Sequence, residues 1–174
     1  MHGNFSVCLH WTIAALFFSL AALGAWMTEL GYYDAYYHSA LLWHRTLGLA
    51  LFVLAAAKIA TARRVNPAGL KSWEWIAARV AHFLLFALLL IIPASGYVIS
   101  TSAGNAAELA GGFSVPALFP VSDAARDGAI QLHYWAGYGG VALALLHAAA
   151  ALKHHFIDKN DVLRRMLPGD KRAL

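Results

Sequence analysis

The stretch GGVALALLHAAAALKHHF, residues 139–156, is an almost unbroken apolar run with a histidine, His147, in its middle. Lipid offers no partner to the two nitrogens of an imidazole, and a buried polar group without a partner costs free energy. Something inside the protein must therefore satisfy His147. That partner is the first indication of function.

The composition is typical of a membrane protein. Of the 174 residues, 60% are hydrophobic and 13% are charged, whereas soluble domains carry about 25% charged residues. Membrane lipid is therefore an expected partner, and nucleic acid is not. The single cysteine, Cys8, excludes an internal disulfide framework and a covalent Cys-x-x-Cys-His haem attachment. A cleaved signal peptide is not expected, because the first Lys or Arg is Arg45.

Four apolar segments reach the length of about 20 residues that a bilayer demands. They are residues 7–27, 41–60, 75–99 and 129–152. The sequence therefore predicts a single all-α membrane domain over residues 1–174, folded as an integral membrane four-helix bundle. Residues 100–128 are rich in Gly and Pro, which predicts an irregular external loop with a short interfacial helix.

The distribution of basic residues predicts the orientation in the membrane. Those in or beside the second connection, 61–74, and the tail, 153–174, are Lys58, Arg63, Arg64, Lys71, Lys153, Lys159, Arg164, Arg165, Lys171 and Arg172. Cytoplasmic loops of membrane proteins carry the excess of Lys and Arg. We therefore expect both termini to be cytoplasmic.

Four histidines form two pairs at matched depths. His10 and His147 lie near the predicted cytoplasmic face, and His44 and His133 lie near the external face. On the fourth segment, His133 and His147 are 14 residues apart, which corresponds to about 21 Å of helix rise and about 40° of rotation. That segment can thus offer one imidazole to each of two stacked sites.

Two imidazoles that face each other across an apolar interior suit haem b, whose iron takes one nitrogen from each side. Glycines at these depths would leave openings for the flat macrocycle. They are Gly24, Gly48, Gly96, Gly137 and Gly140. A four-ligand zinc site would need further Cys, Asp or Glu ligands at the same depths, where the sequence has only Cys8. A single membrane histidine often makes only a helix–helix hydrogen bond, but two matched pairs favour metal ligation.

The inner site has a second candidate ligand. The depth of His82 also suits the cytoplasmic site, so spacing alone leaves it as a rival to His10. Arg79 lies one turn earlier on nearly the same face, and the two could line a polar pocket. Ionisable residues inside a membrane are functional candidates by default. With His154, they are the candidates for a quinone pocket.

Five sequence motifs resemble the bacterial cytochrome b561 family. They are LHW at 9–11, WHRTLG at 43–48, HFLLFALLLIIPASGY at 82–97, HYWAGYGG at 133–140, and LHAAAALKHHF at 146–156 followed by DVLRRMLP. The resemblance covers all four segments and the tail. It implies a multi-pass protein of the bacterial inner membrane, with the 100–128 loop on the periplasmic side. Within the family it is greatest to the di-haem superoxide oxidases.

The resemblance implies two haems b and an activity as a superoxide:ubiquinone oxidoreductase. The implied axial iron ligands are His10 and His147 for the inner haem, and His44 and His133 for the outer haem. Superoxide would give up electrons on the periplasmic side, and ubiquinone would accept them. The alternative is a cytochrome b anchor subunit that relays electrons from a separate dehydrogenase or hydrogenase, a protein electron donor, to quinone.

The external loops depart from the pattern expected for superoxide capture. An anionic substrate benefits from a basic surface at its point of access. Only Arg45 and Arg126 are candidates for that role, and five acidic residues lie on the same side. The haem-binding scaffold therefore has more support than the superoxide donor.

Overall fold

The computed structural model describes residues 2–61 and 71–167. Its long helices are α1 (His2–Met27), α2 (Tyr37–Ala60), α3 (Ser72–Thr101) and α4 (Asp123–Phe156), and a 3-10 turn follows at Arg164–Met166. All four are long and apolar enough to cross a membrane. The predicted all-α, four-helix membrane fold is thus confirmed. Outside the described residues lie Arg63, Arg64, Lys171, Arg172 and residues 62–70 of the second connection.

All four helices are longer than the apolar segments indicate: α1 and α2 at their first ends, and α3 and α4 at both ends. α3 begins at Ser72 instead of 75, where the Glu74 carboxylate accepts a hydrogen bond from the Lys71 backbone N–H at 3.0 Å. α4 begins at Asp123 instead of 129, where the Ser122 hydroxyl caps the Ala125 N–H at 3.2 Å. Hydropathy marks only the apolar part of a helix. Polar capping groups stabilise the additional turns beyond that part.

The helices pack as antiparallel neighbours in chain order, and α1 also touches α4. A small apolar core lies mainly between α1 and α2, and its buried members are Leu9, Ile13, Leu20 and Leu51. The Nζ of Lys58 donates to the Ser6 carbonyl oxygen at 2.9 Å, which joins the last turn of α2 to the first turns of α1. Most apolar side chains of α3 and α4 face outward, as expected where lipid is the solvent.

The loop between α3 and α4 corrects one expectation. Instead of a short interfacial helix, this fully described stretch contains two strands, β1 (Ala107–Glu108) and β2 (Ser114–Val115), paired antiparallel with Ala107 opposite Val115. Gly111 and Gly112, between the strands, have φ angles of 82° and 77°. Glycine adopts this left-handed conformation without the steric cost that other residues pay, so it allows a tight reversal and interrupts a helix.

The β ribbon is fixed to the external end of the bundle by side-chain hydrogen bonds. The Ala110 N–H donates to the Thr46 hydroxyl on α2 at 2.8 Å. The Tyr97 hydroxyl on α3 donates to the Pro116 carbonyl at 2.8 Å and accepts from the Leu118 N–H at 2.9 Å. The loop therefore covers the end of the bundle where His44 and His133 lie.

Candidate functional site

The two predicted histidine pairs are juxtaposed in the structure. At the external end, the ring centroids of His44 and His133 are 6.0 Å apart, with an angle of 65° between the planes. At the inner end, those of His10 and His147 are 6.4 Å apart, with an angle of 66°. α4 supplies one ring to each pair, while α2 and α1 supply the others.

The spacing of both pairs fits one metal ion between two imidazoles. A metal–imidazole bond is about 2.0–2.1 Å long and the nitrogen lies about 1 Å from the ring centre, so two rings on opposite sides of one ion have centroids about 6 Å apart. The ring centroids of both histidine pairs have this separation, 6.0 Å and 6.4 Å. The donor set, two neutral nitrogens in an apolar bundle, suits haem iron.

A hydrogen bond to the backbone of α3 orients the outer imidazole on α4. His133 Nδ1 lies 2.9 Å from the Ile92 carbonyl oxygen. Because a carbonyl can only accept, Nδ1 carries the hydrogen, and Nε2 keeps the lone pair that a metal needs. The Ser95 hydroxyl lies 3.1 Å from the same Nδ1 and donates to the same carbonyl at 2.8 Å.

Two glycines lie directly against the outer imidazoles. A Cβ at Gly24 would lie 3.1 Å from His44 Cε1, and a Cβ at Gly96 would lie 3.2 Å from His133 Cε1. His44 Nδ1 is buried and has no hydrogen-bond partner among the described residues. The His44 ring is thus held against backbone without a hydrogen bond at that nitrogen, which fits a ring that is oriented by a ligand.

The other glycines separate into two groups. A Cβ at Gly48 or Gly137 would have no described atom within 4 Å, so both lie beside open space, as expected for room around a macrocycle. At Gly140 a Cβ would lie 3.0 Å from the ring of Phe17. The expectation that Gly24, Gly96 and Gly140 form openings is therefore wrong, because side chains from neighbouring helices already fill all three positions.

Three histidines meet at the inner end. The ring of His82 lies 5.1 Å from that of His147, closer than the 6.4 Å between His10 and His147. His147 therefore has one imidazole neighbour on α1 and another on α3. The choice of His10 over His82 as the inner ligand, which the family resemblance implies, stays a prediction.

Arg79 and His154, the other candidates for the quinone pocket, each have a partner of their own. The Arg79 guanidinium lies over the ring of Trp75, 4.7 Å from its centroid. His154 Nδ1 lies 2.7 Å from Asp158 Oδ2. Both residues are at the inner end, as predicted, and the structure gives no direct contact between them.

An ion-pair network at the inner end was missed by the sequence reasoning. The Nζ of Lys153 lies 3.2 Å from Glu74 Oε1 and 2.8 Å from Asp158 Oδ2, and Glu74 is only 8% exposed. Hydrogen bonds from Lys153 and His154 lower the pKa of Asp158 below its usual 3.8. Glu74, His154 and Asp158 could also hold a metal ion, but the Lys153 ammonium pairs with both carboxylates and already balances half of their charge.

The external arginines give little support to superoxide access. Arg126 forms ion pairs with Asp123 at 3.1 Å and with Asp127 at 2.9 Å, so its positive charge is balanced within the first turns of α4. Arg45 directly follows His44 on α2 and is half-buried. The helix end that carries Arg126 is therefore not a strong attractor for anions.

Four apolar helices around facing imidazoles are the architecture of a membrane cytochrome. A family model described as prokaryotic cytochrome b561 matches residues 1–169. The Escherichia coli K12 protein named cytochrome b561 homolog 2 is 39% identical over 170 residues, which cover 95% of this chain and 90% of that protein. Cytochrome b561 homolog 1 of the same organism is 27% identical over 133 residues, 74% of each chain.

The chain belongs to the prokaryotic cytochrome b561 family. It is therefore a membrane electron-transfer protein of a family that binds haem b. The family and the four apolar helices agree with the predicted location as a multi-pass protein of the bacterial inner membrane. The orientation of its termini stays a prediction.

Proposed function

We propose that the chain holds two haems b and transfers electrons from superoxide at the external end to ubiquinone at the inner end. The observation that carries this proposal is the pair of facing imidazoles at each end of one bundle, 6.0 Å and 6.4 Å apart. Since α4 contributes to both pairs 14 residues apart, the two sites are about 21 Å apart along the helix.

When bound between two imidazoles, haem supplies a one-electron couple with no coordination position open to O₂. The protein's own residues hold and orient it. The hydrogen on His133 Nδ1 is fixed by the Ile92 carbonyl, which directs Nε2 toward the metal position. Because Gly24 and Gly96 have no side chain, the imidazoles lie directly against the helix backbone. The backbone then limits the movement of each ring.

The proposed reaction consumes protons at the inner end. Two superoxide ions each lose one electron and become O₂, and one ubiquinone takes the two electrons with two protons and becomes ubiquinol. Histidine is the side chain that exchanges protons near neutral pH. His82 and His154 are at that end, and Asp158 fixes the hydrogen of His154 on Nδ1. Arg79 offers donors to a quinone carbonyl.

A reoxidation experiment tests this assignment. The purified protein is reduced with superoxide, and its reoxidation by a soluble ubiquinone analogue is followed by haem absorbance. We expect His82→Ala and Arg79→Ala to slow reoxidation about tenfold or more, with haem content and reduction rate unchanged. Arg45→Ala, at the other end, is the matched control. If Arg45→Ala slows reoxidation and the inner variants do not, the quinone site is external.

One observation favours the second candidate function, the relay subunit. The ion pairs of Arg126 leave the external end of α4 without excess positive charge, which suits a protein donor better than a small anion. The two functions differ in what reduces the purified protein. The oxidoreductase is reduced by superoxide alone, whereas the relay subunit is reduced only when its dehydrogenase or hydrogenase is added.

A further inference from the structure

A polar cleft lies at the inner end of the molecule, where α4 ends and the tail turns back. Its volume is 240 Å³, and it is lined by His155, Lys159, Asn160, Asp161 and Arg164. Because one water occupies about 30 Å³ of liquid, the cleft has room for about eight waters or for one phosphate group. None of these residues has a role in the proposed electron transfer.

Two buried nitrogens on residues that line the cleft lack a partner among the described residues. They are His155 Nδ1 and Asn160 Nδ2. The Asn160 side-chain oxygen accepts from the Val162 N–H at 3.2 Å, which fixes the amide so that its NH₂ group is the unpartnered end. Buried polar groups are nearly always hydrogen-bonded, so an unpartnered donor indicates an acceptor that binds there.

The charges at the mouth of the cleft favour an anion. Lys159 and Arg164 supply two positive charges against the single negative charge of Asp161. Arg164 Nη1 lies 4.0 Å from Asp161 Oδ1, beyond hydrogen-bond distance, so this ion pair does not use the guanidinium as a hydrogen-bond donor. The planar guanidinium fork matches phosphate oxygens well.

The backbone of the cleft is held in an uncommon conformation. Lys159 has a φ angle of 53°, in the left-handed region that residues other than Gly rarely adopt. The next residue closes the turn, because the Asn160 N–H donates to the His154 carbonyl at 3.0 Å. This turn places Lys159 and Asn160 at one cleft, and strained residues of this kind concentrate at ligand sites.

We propose that the cleft binds the phosphate group of an anionic phospholipid at the membrane surface. Phosphate oxygens would accept from Asn160 Nδ2 and Arg164, and Lys159 would add charge. Phe156 and Ile157, which directly precede the cleft, are 69% and 72% exposed and would contact the acyl chains. Free phosphate has the same oxygens but cannot use these apolar side chains.

Native mass spectrometry of the haem-loaded full chain tests the proposal. The protein, in uncharged detergent, is titrated with phosphatidylglycerol, with phosphatidylcholine of the same acyl chains, and with sodium phosphate. We expect one phosphatidylglycerol to be retained in preference to phosphatidylcholine. Lys159→Gln with Arg164→Gln should weaken its retention about tenfold or more, since a charge-assisted hydrogen bond is worth at least that factor.

Two further variants keep the result interpretable. Asn160→Asp retains the acceptor for the Val162 N–H but replaces the buried donor with a carboxylate, so it should also abolish retention. Lys71→Gln removes one charge at the same end of the bundle outside the cleft and should leave retention unchanged. The haem spectrum of each variant reports that the bundle has folded.

The outcomes separate the sources of phosphate. If sodium phosphate binds and displaces phosphatidylglycerol at equal concentration, the ligand is free phosphate and the lipid assignment is overturned. If both lipids are retained equally, or the cleft variants bind phosphatidylglycerol as the wild type does, the site itself is overturned.

Discussion

His133 on α4 donates a hydrogen bond from Nδ1 to the backbone carbonyl oxygen of Ile92 on α3, across 2.9 Å. A carbonyl oxygen has two lone pairs, so it can accept a second donor besides the N–H of its own helix. The carbonyl is therefore available to a side chain from a neighbouring helix. The consequence is an imidazole with a fixed hydrogen on Nδ1 and a free lone pair on Nε2, the form that binds iron.

Substitution of the paired histidines should remove the haems separately. We expect His44→Ala or His133→Ala to abolish the outer haem and spare the inner one, because each pair lies at its own end of the bundle. His10→Ala or His147→Ala should do the reverse. Redox titration of the haem absorbance distinguishes the two centres.

Two controls accompany this series. His38→Ala changes a histidine that packs edge-to-face against Tyr32, with 5.2 Å between the ring centroids, and should keep both haems. His82→Ala should also keep both haems. Loss of a haem in His82→Ala but not in His10→Ala would show that His82 and His147 form the inner pair.

A methyl group added at Gly96 should disturb the outer haem. A Cβ there would lie 3.2 Å from His133 Cε1 and 3.4 Å from Nδ1, so the ring must shift by a few tenths of an ångström. Overpacking of this kind costs about 1–3 kcal/mol. We expect Gly96→Ala to lower the temperature at which the outer haem is released. Gly139→Ala, with no described atom within 4 Å of its Cβ, is the control and should not. Equal effects of the two substitutions would argue against contact between Gly96 and His133.

The docking of the tail should depend on pH through Asp158. Hydrogen bonds from Lys153 and His154 favour the charged carboxylate and lower its pKa in the folded protein. The stabilisation is therefore present above the usual pKa of 3.8 and is lost as the pH falls through the lower folded value. Hydrogen exchange of residues 157–167, corrected for intrinsic rates, should increase below that pH.

Asp158→Asn should increase the hydrogen exchange of residues 157–167 at pH 7 by the same amount. This exchange should then no longer depend on the titration of residue 158, because an amide does not titrate. The hydrogen bond from Trp11 Nε1 to the Met166 carbonyl, 2.6 Å long, marks the far end of the docked tail. Exchange in Asp158→Asn that matches the wild type at pH 7 would mean that the carboxylate does not hold the tail.

The orientation predicted from the basic residues can be tested with reporter fusions. A fusion at residue 66 and one at the C-terminus should both report the cytoplasm, since Lys and Arg gather on that side. A fusion near residue 110, in the β ribbon between β1 and β2, should report the periplasm. A reversed pattern would exchange the inner and outer sites and invert the proposed direction of electron flow.

The sequence was sufficient for the bundle and for the depth of each histidine. Membrane helices have a fixed rise and must lie antiparallel when their connections are short, so residue numbers convert to depth. That conversion alone predicts that His44 lies opposite His133, as the structure has them. The same conversion cannot decide whether His82 or His10 is the inner ligand, because depth does not show which helices are neighbours around the bundle.

The details around the histidines depend on contacts between distant parts of the chain. The acceptor for His133 is a backbone carbonyl 41 residues earlier, and no side-chain pattern marks it. The sequence wrongly assigned Gly140 to an opening. The side chain that fills this position, Phe17, lies on another helix, and nothing near Gly140 in the sequence reveals it. The tail could be predicted as polar, but its return to Trp11 spans 155 residues and follows from packing at the end of the bundle.

The ratio of haem to protein tests the central claim most directly. Because Cys8 alone cannot form a Cys-x-x-Cys-His attachment, both haems should be extracted by acidified organic solvent. A pyridine haemochrome assay of the purified full chain, combined with quantitative amino-acid analysis, should give two haems b per chain. A ratio of one or less in protein that retains its four histidines would contradict the assignment of two facing pairs to two haem sites.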